Sequence, residues 1–167
     1  YLKMVDQNKN SDVLSEFKDW YLTTKQIQTP FHNPLMFIDG ISGLTLYRKK
    51  QFQVQLFICE PNVIIPEHIH PNIDSFELFL YGMKFTHNGN TVISENMSLT
   101  QNDGIPTMSY ETIRVKPHDW HGGTSSKKGG SFMSIQHWIN NVQPTHVSAD
   151  WKGNIIGDKH RKQIEDG

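Results

Sequence analysis

Two histidines one residue apart, His68 and His70, stand in the stretch Ile65 to Gly82, IPEHIHPNIDSFELFLYG. On a β-strand alternate side chains share a face, so both imidazoles would aim at one point. Neutral imidazole ligates Zn, Fe, Ni, Cu and Mn. A lone His-x-His is a weak signal. It gains weight from a second cluster, Val115 to Gly123, VKPHDWHGG, in which a strand end and a tight turn could bring His121 to the same point. Three histidines on one face leave coordination positions open, as catalysis by a metal requires and a closed structural site does not allow.

The spacing of these residues resembles the two motifs of the cupin superfamily. The first motif reads His, any, His, three or four residues, Glu, six residues, Gly. His68, His70 and Gly82 match it in its longer variant, but the Glu position falls on Ser75. The second reads Pro, any, Gly, two residues, His, three residues, Asn. Lys116, His118, His121 and Ser125 occupy those places, with proline displaced to Pro117, so only His121 matches strictly. The resemblance runs from about Leu44 to Trp138. It implies an all-β, cupin-type double-stranded β-helix, a jelly-roll barrel that is often dimeric. It also implies a divalent metal on His68, His70 and His121.

The missing glutamate leaves three arrangements open. Glu77 lies two residues beyond Ser75 and would share its inward face, where a carboxylate is costly unless paired or ligating. Glu77 is therefore the leading fourth metal ligand or catalytic acid/base. Asp74 could fill the place through the shorter spacing, although alternation turns it outward. Without either, the site is three histidines alone, which resembles thiol dioxygenases of the cysteine dioxygenase type.

His137 is a further catalytic candidate. It sits beside Trp138, and one of the two must face inward. His118 reads as a rim residue, and Tyr81 and Trp120 as packing at the barrel mouth. Gln53, Gln55 and Gln136 either donate amide hydrogen bonds inside the barrel or form the solvated face of their strands. His32, His87, His146 and His160 read as surface residues. Cys59 reads as a small core residue and, as the single cysteine, excludes an intramolecular disulfide.

The elements that must position these groups are legible in outline. Ser11 or Asp12 offers a helix N-cap. Val13, Leu14, Phe17, Trp20 and Tyr21 then follow at helical spacing, predicting one amphipathic helix over about 12–24 that packs outside a sheet, or else serves dimerisation. Past Pro30 and Pro34 the period changes to two. Short strands are expected over 35–38, 44–48, 52–58, from 63, 76–81, 83–86, 91–94, 112–115 and 132–139. Phe52, Val54, Leu56 and Ile58 alternate with glutamines, the clearest half-buried strand signal. Asn88-Gly89 predicts a tight hairpin, and Asn102-Asp103-Gly104 another turn. Residues 122–130, rich in Gly, Ser and Lys, read as a loop. The expected organisation is a helical extension over 1–30, a barrel over 31–140, and a tail over 141–167 that packs on the barrel through Trp151, Ile155 and Ile156.

At 167 residues, 36% hydrophobic and 20% charged, the chain fits one domain with a real core. A net charge of -1 gives no basis for binding nucleic acid or an anionic membrane. No apolar run approaches the roughly 20 residues of a transmembrane helix. No secretory signal is legible from Tyr1 onward, so a reducing cytoplasm is the expected compartment. The leading expectation is a metal-dependent enzyme acting on a small molecule. An Fe(II)-dependent dioxygenase is favoured, with Zn, Ni or Mn as other metals. The alternatives are a non-catalytic cupin that binds a sugar or acidic metabolite, and a sugar isomerase or epimerase that works through acid/base groups. A homodimer is a further expectation.

Overall fold

Asp12 begins the helix as its N-cap. Its carboxylate accepts from the Ser15 backbone N–H at 3.3 Å and from Ser15 Oγ at 2.9 Å. Helix α1 follows over Val13–Thr24. The computed structural model describes residues 12–24, 35–38, 40–93, 98–102, 105–109 and 111–144. The expected tail contacts of Trp151, Ile155 and Ile156 lie outside the described residues, as do His32, His146 and His160. Leu14 and Tyr21 are buried and Phe17 partly so, while Val13 and Trp20 remain substantially exposed. The stripe therefore covers a sheet, as the helical spacing predicts. Arg114 fastens the helix to that sheet. It pairs with Asp12 at the cap and reaches Asp74 at 2.7 and 3.1 Å. This pairing draws the Asp12 carboxyl down to about 2.

Twelve strands follow among the described residues: β1 (Leu35–Ile38), β2 (Ile41–Lys49), β3 (Phe52–Cys59), β4 (Ile64–His68), β5 (Ile73–Tyr81), β6 (Met83–His87), β7 (Asn90–Ile93), β8 (Ser98–Asn102), β9 (Ile105–Ser109), β10 (Glu111–Val115), β11 (His121–Ser125) and β12 (Gly130–Trp138). They form a six-stranded sheet ordered β1-β2-β3-β12-β5-β10, a four-stranded sheet ordered β4-β11-β6-β7, and the pair β8-β9. These strands all pair antiparallel. The Asn88-Gly89 hairpin forms as expected, with both residues at positive φ, 47° and 81°. Asn102 pairs with Ile105 across the other predicted turn.

Register across β5, β12 and β3 stacks the inward side chains in rows. Ser75, Gln136 and Gln53 form one. Glu77, Ser134 and Gln55 form the next. Phe79, Phe132 and Phe57 form a third. The aromatic row joins Ile41, Cys59, Ile65, Met83 and Phe85 in one core cluster. On the other face Val54, Leu78 and Ile135 pack against Leu14, Tyr21 and Tyr47. So β3 is not half-buried. Its glutamines are enclosed by the barrel while Val54 is enclosed by the helix, and both faces are dry over that stretch. Only Ile58, beyond the helix, is 52% exposed.

The expected loop over 122–130 is corrected in its first half. Residues 121–125 are strand β11, seated between β4 and β6. Its glycines hid it from a reading based on apolar alternation, and they are also what lets it fit. A Cβ on Gly122 would meet the Ile65 carbonyl at 2.8 Å and the Glu67 amide at 3.0 Å. One on Gly123 would meet the Lys84 carbonyl at 2.8 Å. Both obstacles are backbone, which cannot swing aside. Gly122→Ala is expected to destabilise the fold by about 1–3 kcal/mol, the usual cost of overpacking. Ile58→Thr should stay within about 0.5 kcal/mol. Urea unfolding of the two variants checks the contrast.

Candidate metal centre

His68 ends β4 and His121 begins β11, and the two stand opposite each other in the ladder. His70 lies past the end of β4, in the link to β5. The pair expected on one strand is therefore split between a strand end and a link, yet the two rings still converge. Ring centroids are 4.2 Å apart for His68 and His121, 4.8 Å for His68 and His70, and 5.1 Å for His70 and His121. One nitrogen from each ring lies within 4.8 Å of the others. Converging nitrogens of this kind are the donor set that a divalent metal would require.

Two rings are fixed from behind. His68 Nδ1 lies 2.7 Å from the Pro66 carbonyl and His121 Nδ1 lies 2.9 Å from the Asp119 carbonyl. A carbonyl only accepts, so each Nδ1 carries the proton and each ring presents Nε2 as its lone-pair nitrogen. Burial pushes His68 down to about 3, helped by the neighbouring His121, and burial pushes His121 down to about 4. Both are neutral at physiological pH, the form a metal requires.

The turn before β11 holds this arrangement. Asp119 Oδ2 accepts from the Lys116 backbone N–H at 2.9 Å and contacts His87 Nε2 at 2.9 Å. The His118 backbone N–H donates to the His70 carbonyl at 2.9 Å. Asn88 and Trp120 exchange two hydrogen bonds, of 2.8 and 2.9 Å. His87, expected at the surface, is thus a partly buried brace for the turn. No periodicity signals that role, because it depends on β6 lying beside β11. His118 is exposed, with φ of 66°, and stays on the rim as expected.

Glu77 points inward, as its offset from Ser75 predicts, and is 6% exposed. It is not among the three residues whose ligand atoms lie within 4.8 Å of one another, although it lines the same cavity. Its Oε1 accepts from Ser75 Oγ at 2.7 Å and Ser134 Oγ at 2.9 Å, and its Oε2 has no partner among the described residues. Burial raises its pKa to about 7, against the pull of the two serines. Asp74 faces outward onto Arg114. The candidate His137 also takes the outward direction, stacking on Phe52 at 4.8 Å, while Trp138 is buried and donates to Gln136 Oε1 at 3.0 Å. His137 therefore stands outside the cavity that the three metal candidates line. Tyr81 is corrected too: it ends β5 far along the strand from the histidines and is 47% exposed. Cys59 is buried and its thiol is pushed up to about 11, so it is inert packing.

Comparison with family models and with curated proteins finds no match. Comparison with solved structures finds many. KdgF from Halomonas sp. superposes with a TM-score of 0.51 at 10% identity, covering 66% of this chain and 89% of that one. The chain has the cupin fold. An RmlC-like cupin from Shewanella frigidimarina aligns at 12% identity and a TM-score of 0.45, over 60% of this chain and 78% of that one. A double-stranded β-helix protein from Klebsiella pneumoniae aligns at 16% and 0.42, over 81% and 93%. Within this barrel the three histidines singled out by spacing converge, and Ser75 lines the same cavity.

The raised pKa of Glu77 has a consequence for stability. Between about 4.5 and 7 the unfolded chain releases this proton while the folded chain keeps it, so the native protein loses stability as pH rises through that window. The depressed histidines act oppositely: their cost appears as pH falls below about 6.5. Glu77→Gln isolates the first effect. Its stability relative to the native protein should improve by roughly 2–4 kcal/mol from pH 4.5 to pH 7.5 and then level off. Denaturant midpoints across pH measure this. A pH-independent difference would remove the buried-acid assignment.

Proposed function

We propose that this cupin is a metal-dependent enzyme acting on a small molecule, with His68, His70 and His121 as the metal ligands. The observation that carries the reading is the three-histidine cluster itself: three convergent rings, two tautomerically fixed and held neutral, lining one cavity. That donor set suits Fe(II), Zn, Ni or Mn, and Fe(II) is the preferred metal. A bound divalent metal would supply Lewis-acid chemistry or, as iron, a redox centre for dioxygenase-type reactions at the positions three ligands leave open.

The chain's own residues supply the surroundings. Phe57, Phe85 and Phe132 line the cavity on its apolar side and limit water there. Glu77, with a pKa about 7, can hold or release a proton near neutrality and is the acid/base candidate. The absence of an acid at position 75 favours the three-histidine arrangement over a four-ligand one. An isomerase or epimerase reading finds little support. It needs a tyrosine beside an inward histidine as acid and base, whereas no tyrosine lines the cavity among the described residues and Tyr81 stands at the far end of its strand.

Protein purified without chelators and reloaded with Fe(II), Zn, Ni or Mn should bind about one metal per chain. His121→Ala should lower that affinity by 100-fold or more, beyond the 10–100-fold that loss of an outer-shell partner costs. Elemental analysis and metal titration read both. Failure to retain or reload any of these metals sinks the proposal. A ligand that stabilises the protein equally with and without His68→Ala would instead favour a binding protein without turnover.

A further inference from the structure

Polar side chains form a directed chain across the inner face of the six-stranded sheet. Arg48 Nε donates to Gln53 Oε1 at 2.8 Å. Gln53 Nε2 donates to Gln136 Oε1 at 3.0 Å. Gln136 Nε2 donates to Ser134 Oγ at 3.1 Å, and Ser134 Oγ donates to Glu77 Oε1 at 2.9 Å. Every bond points the same way, from a guanidinium to a carboxyl. Such alignment polarises each link and makes the last acceptor a better home for negative charge. Ser75 adds a second donor to the same oxygen. The chain therefore saturates Oε1 and leaves Oε2 as the open valence of a group that is 94% buried, since 6% is exposed.

A buried oxygen without a partner costs about 1–3 kcal/mol, and more when it is charged. Packing gives no reason to bear that cost, because an apolar residue at position 77 would extend the aromatic row above it. Glu77 lines the same cavity as the three histidines, together with Ile65 and Phe85. That cavity holds about 60 Å³, room for on the order of four to six heavy atoms.

We infer that Glu77 Oε2 is the recognition point for a hydrogen-bond donor, an ammonium or hydroxyl group, on a short ligand whose other end lies at the histidine cluster. The ligand class is then a small bifunctional molecule: a metal-seeking head, a short apolar body and a donor tail. Arg48 is a positioning residue that acts through the chain and never touches the ligand. The location of the ligand's head rests on the metal reading above. The tail contact does not.

Three probes of equal length separate the possibilities: β-alanine, 3-hydroxypropionate and butyrate, which end in ammonium, hydroxyl and methyl. Each is titrated into zinc-loaded and metal-free protein labelled with ¹³C at the glutamate carboxyls. The Glu77 signal is the one missing in Glu77→Gln. Zinc-loaded protein should bind the two donor probes at least ~10-fold more tightly than butyrate, as a hydrogen bond to a charged group implies. The Glu77 carboxyl signal should move with those two alone. Glu77→Gln and Arg48→Met should both shrink the preference, the first to under ~3-fold, with zinc affinity unchanged. Equal binding of all three probes by native protein overturns the inference, as does a preference that survives in Glu77→Gln. If zinc does not bind, the metal reading fails separately. The metal-free titration then decides the tail contact by the same preference and the same signal. Should Glu77→Gln not fold, the probe preference of the native protein and its loss in Arg48→Met still decide.

Discussion

The pairing of His68 with His121 across β4 and β11 is the constraint on which the rest of the site depends. Side chains alternate along a strand, so a slip of one residue would turn either ring to the opposite face of the sheet. Backbone contacts guard this register. Gly122 and Gly123 allow β11 to lie against β4 and β6 at a separation no side chain would permit, and the ladder shifts register between His121 and Gly123. The turn ahead of β11 is tied to the β6–β7 hairpin by Asn88 and to the His70 backbone by His118. The three imidazoles are held by main-chain geometry more than by their own contacts.

The six-stranded sheet divides its labour between faces. The face under α1 is apolar, with Leu14, Tyr21, Val54, Leu78 and Ile135 in one cluster. Each such side chain contributes roughly 1.5–3 kcal/mol relative to exposure. Inside the barrel, an aromatic row seals one end, and two polar rows face the cavity. The helix and its Arg114 clamp thus supply packing that the barrel interior gives up, and the interior can carry glutamines, serines and a carboxyl.

This division explains which parts were legible in the sequence. Periodicity gives the helix, since Leu14, Phe17 and Tyr21 bury one stripe, and spacing gives the three histidines. Alternation along β3 does locate a strand, but it suggests one wet face where both are dry. A glutamine beside water and a glutamine inside a hydrogen-bonded row read identically until the partner strand is known. Strand β11 is hidden for the opposite reason, since its glycines carry no hydropathy signal and matter only through the backbones they let approach. His87 and Ser134 belong to the same class. Each acts through a residue distant in sequence, Asp119 in one case and Glu77 in the other.

The position of Glu77 changes how the departure at Ser75 is read. In the motif the acid stands beside the metal; here a carboxyl stands one row deeper, held by Ser75 itself. The serine is therefore not merely a lost ligand. It supplies one of the two hydroxyl donors to Glu77 Oε1, Ser134 being the other. Moving the acid by two residues keeps it on the inner face, because strand alternation has a period of two. It also sets the carboxyl one row away from the row that holds Ser75, inside the same cavity as the histidines. Two of the clustered histidines, His68 and His121, are held neutral by burial, while burial raises the Glu77 carboxyl to about 7.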